Sequence, residues 1–503
     1  MIIMKKLFSL LFSFGFILSL SAQVNVSWIQ NTAGVSIAVD NSNNVYTVNY
    51  DYSLAGDITL TKRNSAGQFQ WQAFYDQTNT TLWEKATWVE VDNAGNIVVT
   101  GTLMSGYSNP VVAASIVMKF SSAGSLLWRQ VFESSFDGSQ TKKCLIDEQN
   151  NIYILGTGMN GSSGLNLKVK KLSSDGTPLW SYFNAIGMPV NFKFTPDNGI
   201  LAIGRSITGS VNGFAKLDRN GNPLWTLPGV NSITVGDAGG DASGNTYIVN
   251  LEYVFNPSKS IVKKLSPAGT EIWSSDHTIA AQRLEVGSDG MPVICGYPNP
   301  NSFGSSFAKF NSSGGLVWSN PDADSTFSLM LHAQLKMDSQ NNIYLAAGTM
   351  TQMAVCKVKN NGASDWTIAV PGAYANGIDI GNDFSVYVVG GNTAGATIKI
   401  LQAGVTPVTN GENNVPAKYW LGNNYPNPFN PSTKITFGLQ KSGYTEITIF
   451  DVTGRAVKTL LSKYMNAGTH SVDFNASGLT SGVYLYQLKT NGFAETGKMI
   501  LSK

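Results

Sequence analysis

The sequence has little charge, few cysteines and almost no histidine. Of its 503 residues 13% are charged, and its 34 basic and 32 acidic residues form no long runs. This pattern excludes an electrostatic surface for nucleic acid or an anionic membrane. The cysteines, Cys144, Cys295 and Cys356, have no paired spacing such as C-x-x-C. We expect buried, unpaired thiols; the alternative is a single disulfide between two of the three cysteines.

Motifs of catalytic chemistry are missing too. The histidines are far apart, and the sequence contains no G-x-S-x-G elbow, no H-E-x-x-H and no phosphate-binding loop. We therefore predict no catalytic residue, no metal ligand and no cofactor. The acids Glu84, Glu133 and Asp137 fall in or near predicted connections, where we expect them to be solvated.

After the N-terminus no apolar run is long enough to span a membrane. Residues 1–22 carry Lys5 and Lys6, then an apolar run over 7–20 and a small-residue end, which is typical of a secretory signal peptide. No cysteine follows the run, which disfavours a lipoprotein anchor. We expect a mature chain that is soluble outside the cytoplasm.

Glycine and aromatic residues are abundant, and they organise a repeat. With 51 glycines and 11% aromatics, the composition favours short strands and tight turns, and thus an all-β fold. Eight times a lysine is followed five positions later by a glycine: Lys62/Gly67, Lys119/Gly124, Lys171/Gly176, Lys216/Gly221, Lys264/Gly269, Lys309/Gly314, Lys357/Gly362 and Lys399/Gly404. Seven of the glycines are followed by tryptophan: Trp71, Trp128, Trp180, Trp225, Trp273, Trp318 and Trp366.

Each Lys/Gly/Trp unit reads as a hairpin, and a second hairpin precedes it. The second hairpin has alternating apolar residues around an Asp- and Asn-rich turn, as at Asp40, Asp92 and Asp147. Two hairpins make a four-stranded unit, and a period of roughly 50 residues is typical of propeller blades. Asx-turns are the preferred interpretation of these turns, because they lack the dense oxygen ligands of a calcium loop.

The missing eighth tryptophan predicts how the ring closes. Trp28 lies behind the leader without a preceding Lys/Gly unit, so its strand should complete the last blade beside residues 397–400. The sequence thus predicts an eight-bladed β-propeller over residues 23–404, with a seven-bladed ring as the competing interpretation. We expect the tryptophans to pack between sheets and the glycines to supply positive φ. Each lysine should be an exposed charge or a partner of a turn carbonyl.

The blade units resemble propeller repeats of secreted bacterial proteins and, distantly, the tryptophan-docking repeats of pyrroloquinoline-quinone enzymes. Those enzymes would need adjacent cysteines and a calcium site, and the chain has no Cys-Cys pair. A quinone- or metal-dependent oxidoreductase is therefore the least favoured function.

Binding residues are expected in the long, unrepeated loops on one face of the ring. The candidate ligand-binding aromatics there are Trp83, Tyr107, Tyr253 and Tyr297, which could stack on sugars or hold a peptide. Trp88 falls in the same connection as Trp83. The alternative is that these aromatics only fix the loops in place.

The repeat stops after Gly404, and a different domain follows a polar linker at residues 405–418. The new domain opens with N-Y-P-N-P-F-N-P-S-T at residues 424–433 and continues with a D-x-x-G turn, L-x-x-G-x-Y-x-Y and a final K-M-x-L. Alternating strands between these motifs predict a small β-sandwich over residues 419–503.

These motifs closely resemble the type A C-terminal sorting domain of the type IX (Por) secretion system of Bacteroidetes. The resemblance implies export through the inner membrane by the leader and recognition of residues 419–503 by outer-membrane machinery. It also implies delivery to the cell surface or release. The matching positions are Asn424, Tyr425, Pro426, Asn427, Pro428, Phe429, Asn430, Pro431, Gly454, Gly482, Tyr484 and Lys498.

We therefore predict a secreted, monomeric cargo whose propeller is a binding module for a glycan or protein and is not an enzyme. An extracellular carbohydrate-active hydrolase or lyase, with its site on the loop face, is the alternative.

Overall fold

The computed structural model divides the chain into two compact units, residues 1–404 and 405–503. It describes residues 24–50, 57–75, 82–105, 111–133, 140–159, 165–184, 186–205, 211–231, 236–252, 259–298, 304–324, 331–348, 352–371, 374–391, 395–402, 418–424, 426–440, 443–465, 468–490 and 492–502. Every regular element in these ranges is a β-strand, so the all-β prediction is confirmed. No helix among them could cross a membrane.

The described part of the N-terminal unit contains eight four-stranded antiparallel sheets. Sheet 1 has β2 (Ser36–Val39), β3 (Val45–Tyr50), β4 (Ile58–Arg63) and β5 (Phe69–Tyr75). Sheet 2 has β6 (Leu82–Val91), β7 (Ile97–Ser105), β8 (Val111–Phe120) and β9 (Leu126–Glu133). Sheet 3 has β10 (Gln140–Ile146), β11 (Ile152–Met159), β12 (Leu165–Leu172) and β13 (Pro178–Asn184). Sheet 4 has β14 (Met188–Phe194), β15 (Ile200–Arg205), β16 (Val211–Leu217) and β17 (Pro223–Asn231).

The next three sheets follow the same plan, with strands paired in chain order. Sheet 5 has β18 (Asp237–Gly240), β19 (Thr246–Glu252), β20 (Lys259–Leu265) and β21 (Glu271–His277). Sheet 6 has β22 (Ala280–Val286), β23 (Pro292–Tyr297), β24 (Ser305–Phe310) and β25 (Leu316–Asp324). Sheet 7 has β26 (Leu331–Met337), β27 (Ile343–Gly348), β28 (Gln352–Val358) and β29 (Ser364–Pro371).

Sheet 8 joins the two ends of the N-terminal unit. It has β30 (Ala375–Ile380), β31 (Val386–Gly390), β32 (Thr397–Gln402) and, as its outer strand, β1 (Val24–Gln30). The pairing runs from Val24 opposite Gln402 to Gln30 opposite Thr397, with Trp28 opposite Lys399. The predicted pairing of the Trp28 strand with residues 397–400 is thus confirmed. We call the β1–β32 pair the seam.

The sheets follow one another in a closed order. The first strand of each sheet contacts the first strand of the next, from β2 and β6 round to β30, which contacts β2 again. Buried apolar side chains fill the space between neighbouring sheets, as where Leu60 of sheet 1 packs with Val89 and Val99 of sheet 2. Four-stranded antiparallel sheets stacked in this way are typical of a β-propeller.

Side-chain hydrogen bonds form the turn between the first two strands. In sheet 2, Asp92 Oδ1 accepts the backbone N–H groups of Ala94 and Asn96 at 2.9 and 2.8 Å. Asn96 Nδ2 donates to Asp92 Oδ2 at 3.1 Å. The same bonds recur at Asp40, Asp147, Asp241 and Asp338. The Asx-turn prediction is confirmed, because turn amides already bind the carboxylates.

The three cysteines lie buried in strands of sheets 3, 6 and 7, and no disulfide joins them. Burial raises the pKa values of the Cys144 and Cys295 thiols. The prediction of buried thiols without a disulfide is confirmed.

The C-terminal unit has two further sheets. One contains β33 (Trp420–Leu421), β34 (Ser432–Leu439) and β37 (Gly468–Asn475). The other contains β36 (Ala456–Met465), β35 (Gly443–Phe450), β38 (Gly482–Thr490) and β39 (Phe493–Leu501) in that order across the sheet. Ile435 and Phe474 of the first sheet share a buried cluster with Ile449 and Tyr486 of the second. The alternating apolar residues of both sheets thus build one core.

Candidate functional site

The Lys/Gly/Trp repeat joins each sheet to the next. Lys119 Nζ and Trp128 Nε1 of sheet 2 both donate to the carbonyl oxygen of Ser174, at 3.0 and 3.2 Å, in a turn of sheet 3. In that turn Gly176 has φ +88°, and a Cβ there would lie 3.0 Å from the Trp128 ring. Only glycine permits both the backbone conformation and this close approach. The predicted packing role of tryptophan and turn role of glycine are confirmed.

The same pair of donors meets one carbonyl at four more junctions. They are Lys62 and Trp71 on Ser122, Lys171 and Trp180 on Arg219, Lys264 and Trp273 on Ser312, and Lys399 and Trp28 on Ser65. Trp225 contacts Gly269 in the equivalent way, although its Nε1 has no partner in the described part of the chain. The packing of the tryptophan ring on the glycine of the next sheet therefore recurs even where the hydrogen bond from Trp Nε1 to the turn carbonyl does not.

The repeat lysines are mostly buried, which settles their role between the two predicted alternatives. Lys119 is 5% exposed and Lys216 0%. Lys119 pairs with Asp92 at 2.8 Å, and Lys216 with Asp197 at 2.7 Å. Each thus links a turn carbonyl of the next sheet to a turn carboxylate of its own. The repeat thus holds the sheets together.

The predicted aromatic site is only partly within the described residues. Tyr107 and Tyr253 lie outside them. Trp83 lies within β6, not in a connection, because that strand extends to Leu82, and Tyr297 ends β23 of the distant sheet 6. The aromatic loop site therefore stays a prediction.

The predicted solvation of the loop acids is wrong for one of them. Glu84 lies on β6 and is 2% exposed. It faces the protein interior because β6 extends through the segment that the sequence assigned to a connection. The side chain of Glu133, and Asp137, lie outside the described residues.

A cavity of about 360 Å³ lies at the centre of the N-terminal unit. It is lined by the first strand of every sheet, and we call it the channel. Eight charged side chains line it, four of each sign: Lys143, Lys193, Arg283 and Lys336, with Glu90, Asp237, Glu285 and Asp379. A concave site with convergent polar groups is the usual form of a ligand site.

Strand geometry explains which residues reach the channel. In sheet 2, Trp88 and Glu90 stand four and two positions before the turn residue Asp92. Because strand side chains alternate, these two positions share one face. A β-bulge precedes Trp88, between Ala86 and Trp88, and similar register shifts occur in β10, β14, β22, β26 and β30. Bulges bend a strand and redirect its side chains, here towards the channel.

Five of the charged groups form ion pairs between strands of different sheets. Lys193 Nζ lies 3.0 Å from Asp237 Oδ2 and 2.8 Å from Glu285 Oε1. Although burial opposes it, these two carboxylates raise the pKa of Lys193. Lys336 Nζ lies 3.2 Å from Asp379 Oδ1, and this carboxylate raises the pKa of Lys336.

One corner of the channel is different, because its charges are not paired. Glu90 Oε1 accepts a hydrogen bond of 2.9 Å from Trp88 Nε1, and Lys143 Nζ donates to Asn191 Oδ1 at 3.2 Å. Lys143 Nζ also lies 5.1 Å from the Trp88 ring centroid. Among the residues described by the structure, neither Glu90 nor Lys143 has an opposite charge within 4.0 Å. We call Trp88, Glu90, Lys143 and Asn191 the channel corner.

The pKa values at the corner follow from this environment. Burial raises the pKa of the Glu90 carboxyl. Burial, then repulsion by Lys193 and Lys336, lowers the pKa of Lys143 to about 8. Both shifts disfavour the charged forms, because burial outweighs the attraction of Lys336 and Lys143 for Glu90 and of Glu90 and Glu285 for Lys143.

The channel residues could not be recognised as a site from their local sequence alone. The signal that could have found them is a charged residue two or four positions before the turn, within an otherwise apolar strand. It is present in Val89-Glu90-Val91 and in Phe192-Lys193-Phe194. Among the described residues, no group of three or more His, Cys, Asp or Glu could hold a metal ion.

In the C-terminal unit, the proline-rich motif is bound to the last strand. Phe429 N donates to the Ile500 carbonyl at 2.9 Å, and Ser502 N to the Phe429 carbonyl at 3.0 Å. Asn427 Oδ1 accepts the N–H of Ile500 at 2.9 Å. Phe429 itself is 2% exposed. The opening motif and the final K-M-x-L therefore form one structural feature.

The other motif residues fix turns and strand ends. Asn424 Nδ2 donates to the Pro426 carbonyl at 3.0 Å, Tyr484 OH donates to the Thr480 carbonyl at 2.9 Å, and Gly454 has φ +82°. The remaining described motif residues are exposed or partly exposed: Pro426, Pro428, Asn430, Pro431, Gly482 and Lys498. Tyr425 lies outside the described residues.

Residues 423–502 match the family of secretion system C-terminal sorting domains. These residues of the C-terminal unit are a Por secretion sorting domain. A sorting domain of this kind indicates delivery to the cell surface or the extracellular space. The family that the C-terminal motifs resemble is thereby confirmed. No curated protein is significantly similar to the chain.

Solved structures similar to the chain include several propellers at low similarity. PorZ, a surface component of the type-IX secretion system of Porphyromonas gingivalis, is 10% identical with a TM-score of 0.30, over 94% of this chain and 82% of its own. The β-propeller domain of the Trilobed protease from Pyrococcus furiosus is 9% identical with a TM-score of 0.39, over 63% and 93%. The gluconolactonase XC5397 from Xanthomonas campestris is 10% identical with a TM-score of 0.32, over 75% and 89%. At these scores the similarity carries no conclusion about activity.

Proposed function

We propose that the protein is a cargo of the type IX secretion system whose N-terminal unit is an eight-bladed propeller that binds a ligand. In this proposal residues 1–22 are a signal peptide, 23–404 the propeller, 405–418 a linker and 419–503 a sorting domain folded as a β-sandwich. The closed order of sheets 1 to 8 and the seam support the blade number. The core shared by the two C-terminal sheets supports the sandwich.

The main support for a binding role is the lining of the channel. All eight first strands line it, and its charged side chains differ from sheet to sheet, whereas the outer repeat is nearly uniform. A scaffold needs uniform contacts, while a site needs particular groups at particular places. The channel is therefore a stronger candidate than the aromatic loop face.

Two tryptophans of one strand distinguish these locations. Trp88 lines the channel, and Trp83 belongs to the predicted aromatic site. We expect Trp88→Ala to abolish binding of any ligand found by a glycan, peptide and metabolite screen of the full secreted protein, and Trp83→Ala to leave it intact. The reverse result would favour the loop face. A screen that finds no ligand would contradict the binding proposal.

Sorting can be tested separately. Deletion of residues 419–503 should leave the protein in the periplasm, because the outer-membrane machinery loses its recognition element. Cell fractionation with protease shaving of intact cells measures the location. Protease resistance of the truncated chain controls for folding of the N-terminal unit. Normal surface delivery of a folded, truncated chain would refute the proposal.

A carbohydrate-active hydrolase or lyase is the second candidate, and one observation favours it. Glu90 has a raised pKa and shares the channel with Asp379, which pairs with Lys336. Two carboxyl groups in different environments are the usual acid and base of glycoside cleavage. This candidate requires turnover on a polysaccharide panel that disappears in Glu90→Gln, at an unchanged melting temperature.

A further inference from the structure

We infer that the channel corner binds a small zwitterion, a free α-amino acid or a close analogue, between Lys143 and Glu90. This inference rests on the proposed binding role of the channel and specifies the ligand class. The ammonium of Lys143 would hold the ligand carboxylate, and the carboxylate of Glu90 would hold the ligand ammonium.

The charge pattern of the channel gives the first argument. Lys193 is shared by Asp237 and Glu285, and Lys336 is held by Asp379. Glu90 and Lys143 lie on the neighbouring strands β6 and β10, one of each sign. They attract each other, and Lys336 attracts Glu90, but neither has an ion pair within 4.0 Å among the described residues. A ligand with both charges complements both groups, whereas an anion or a cation complements only one.

Hydrogen-bonding capacity gives the second argument. A lysine ammonium has three donors, and Lys143 uses one on Asn191. A carboxylate has about four acceptor sites, and Glu90 receives one hydrogen bond, from Trp88. Both side chains are half-buried, and charged groups partly removed from water are costly when left without partners. A neutral sugar would supply hydrogen bonds but no compensating charge.

Size and apolar surface complete the fit. The channel volume of about 360 Å³ lies within the range of roughly 300–1,000 Å³ for small-molecule sites. Trp88 contacts both charged groups, Glu90 through Nε1 and Lys143 through its ring. Leu145 and Phe194 also line the cavity. These surfaces suit the methylene groups or apolar side chain of an amino acid.

Changing the ligand tests the inference without changing the protein. Calorimetric titrations of the full protein would compare L-leucine and L-phenylalanine with N-acetyl-L-leucine, L-leucinamide and glucose. We expect the free amino acids to bind, and each derivative, which lacks one charge, to bind about 10- to 100-fold more weakly because a charge-assisted hydrogen bond is lost. Derivatives that bind as tightly as the amino acids would overturn the inference.

Matched variants then assign each charge to its partner. Glu90→Gln should weaken L-leucine but not N-acetyl-L-leucine, and Lys143→Met should weaken L-leucine but not L-leucinamide. Lys62→Met, a repeat lysine outside the channel lining, is the control and should change neither. Binding of glucose alone, lost in Trp88→Ala, would overturn the zwitterion inference and leave the proposed binding function standing. If no amino acid binds and the glycan, peptide and metabolite screen also finds no ligand, both the zwitterion inference and the proposed binding function are overturned.

Discussion

The outer repeat and the channel occupy the two edges of the same sheets, and they are built on opposite principles. At the outer edge, tryptophan meets glycine of the next sheet at one junction after another. In the channel, equivalent positions carry Glu90, Lys193, Glu285, Lys336 and Asp379, or small and apolar residues. Repetition along this chain marks the contacts that hold sheets together, and variation at an equivalent position marks the surface available to a ligand.

If this contrast is correct, the largest loss of stability should come from a buried repeat lysine. Lys216 Nζ lies 2.7 Å from both Asp197 Oδ2 and the Gly244 carbonyl. We expect Lys216→Met to lower the free energy of unfolding by about 3 kcal/mol, since it leaves the partly buried Asp197 carboxylate without its counterion. Lys62→Met, which loses one carbonyl bond, should cost about 1 kcal/mol. Urea unfolding followed by tryptophan fluorescence measures both, and equal losses would contradict the argument.

The Lys216 effect should also depend on pH. Although burial opposes it, the hydrogen bond from Lys216 lowers the pKa of Asp197. A carboxyl with a depressed folded-state pKa contributes stability above its unfolded pKa of about 3.9, and this contribution is lost as the pH falls through the folded value. The difference between native protein and Lys216→Met should therefore shrink below about pH 4.

A second contrast concerns two glycines of sheet 2 that share positive φ. Gly124 has φ +89°, and a Cβ would lie 2.9 Å from Trp71, whereas at Gly95, with φ +78°, the nearest atom is 4.0 Å away. We expect Gly95→Ala to cost about 1 kcal/mol for the backbone conformation alone. Gly124→Ala should cost about 1–2 kcal/mol beyond that, because it overpacks the junction. Identical urea midpoints would show that the tryptophan contact is loose.

A smaller difference separates two buried tyrosines at equivalent repeat positions. Tyr46 and Tyr387 are both 0% exposed. Tyr46 OH donates to Asp40 Oδ2 at 3.0 Å, whereas the Tyr387 hydroxyl has the Ser385 hydroxyl as a polar neighbour and no carboxylate at hydrogen-bond distance among the described residues. Tyr46→Phe should cost about 1 kcal/mol more than Tyr387→Phe, since only the first loses a hydrogen bond to a carboxylate. An equal cost by urea unfolding would contradict this assignment.

The channel should show the smallest loss, or a gain. The pKa of Lys143 is lowered to about 8, so the folded protein binds fewer protons than the unfolded chain between about pH 8 and the unfolded lysine pKa of about 10.4. We expect Lys143→Met to be as stable as the native protein or more stable at pH 7. Because the stability of the native protein rises with pH through this window, the gain should shrink there. A clear loss at pH 7 would show that Lys143 is structural.

The sequence was sufficient to predict the strands, the turns and the seam because each has a local signal. The Asp–Asn turns, the glycines and the displaced Trp28 all mark positions along the chain. The channel had no such signal. In Val89-Glu90-Val91 apolar and polar residues alternate as in any half-exposed strand. This pattern alone predicts that Glu90 faces bulk water. Only the closed order of eight sheets brings Glu90 and the other charged side chains together around one channel.

The same limit explains the misplaced acids and aromatics. The alternation of Trp83, Glu84 and Lys85 on β6 is weak, so the sequence assigned the segment to a connection, and the solvent-facing role of Glu84 followed from that error. Tertiary pairing with β7 from Leu82 onwards overrides the local preference.

The seam has a consequence for the order in which the molecule is completed. Sheets 1 to 7 each use consecutive strands, so they can form as the chain emerges, whereas β1 must wait for β32 at the far end of the N-terminal unit. Contacts of such long sequence separation form late and slowly. Until then the edge of β32 is open to the β1 strand of any neighbouring molecule. We therefore expect dilute refolding to favour a ring sealed by its own first strand, and concentrated refolding to favour a strand-exchanged dimer.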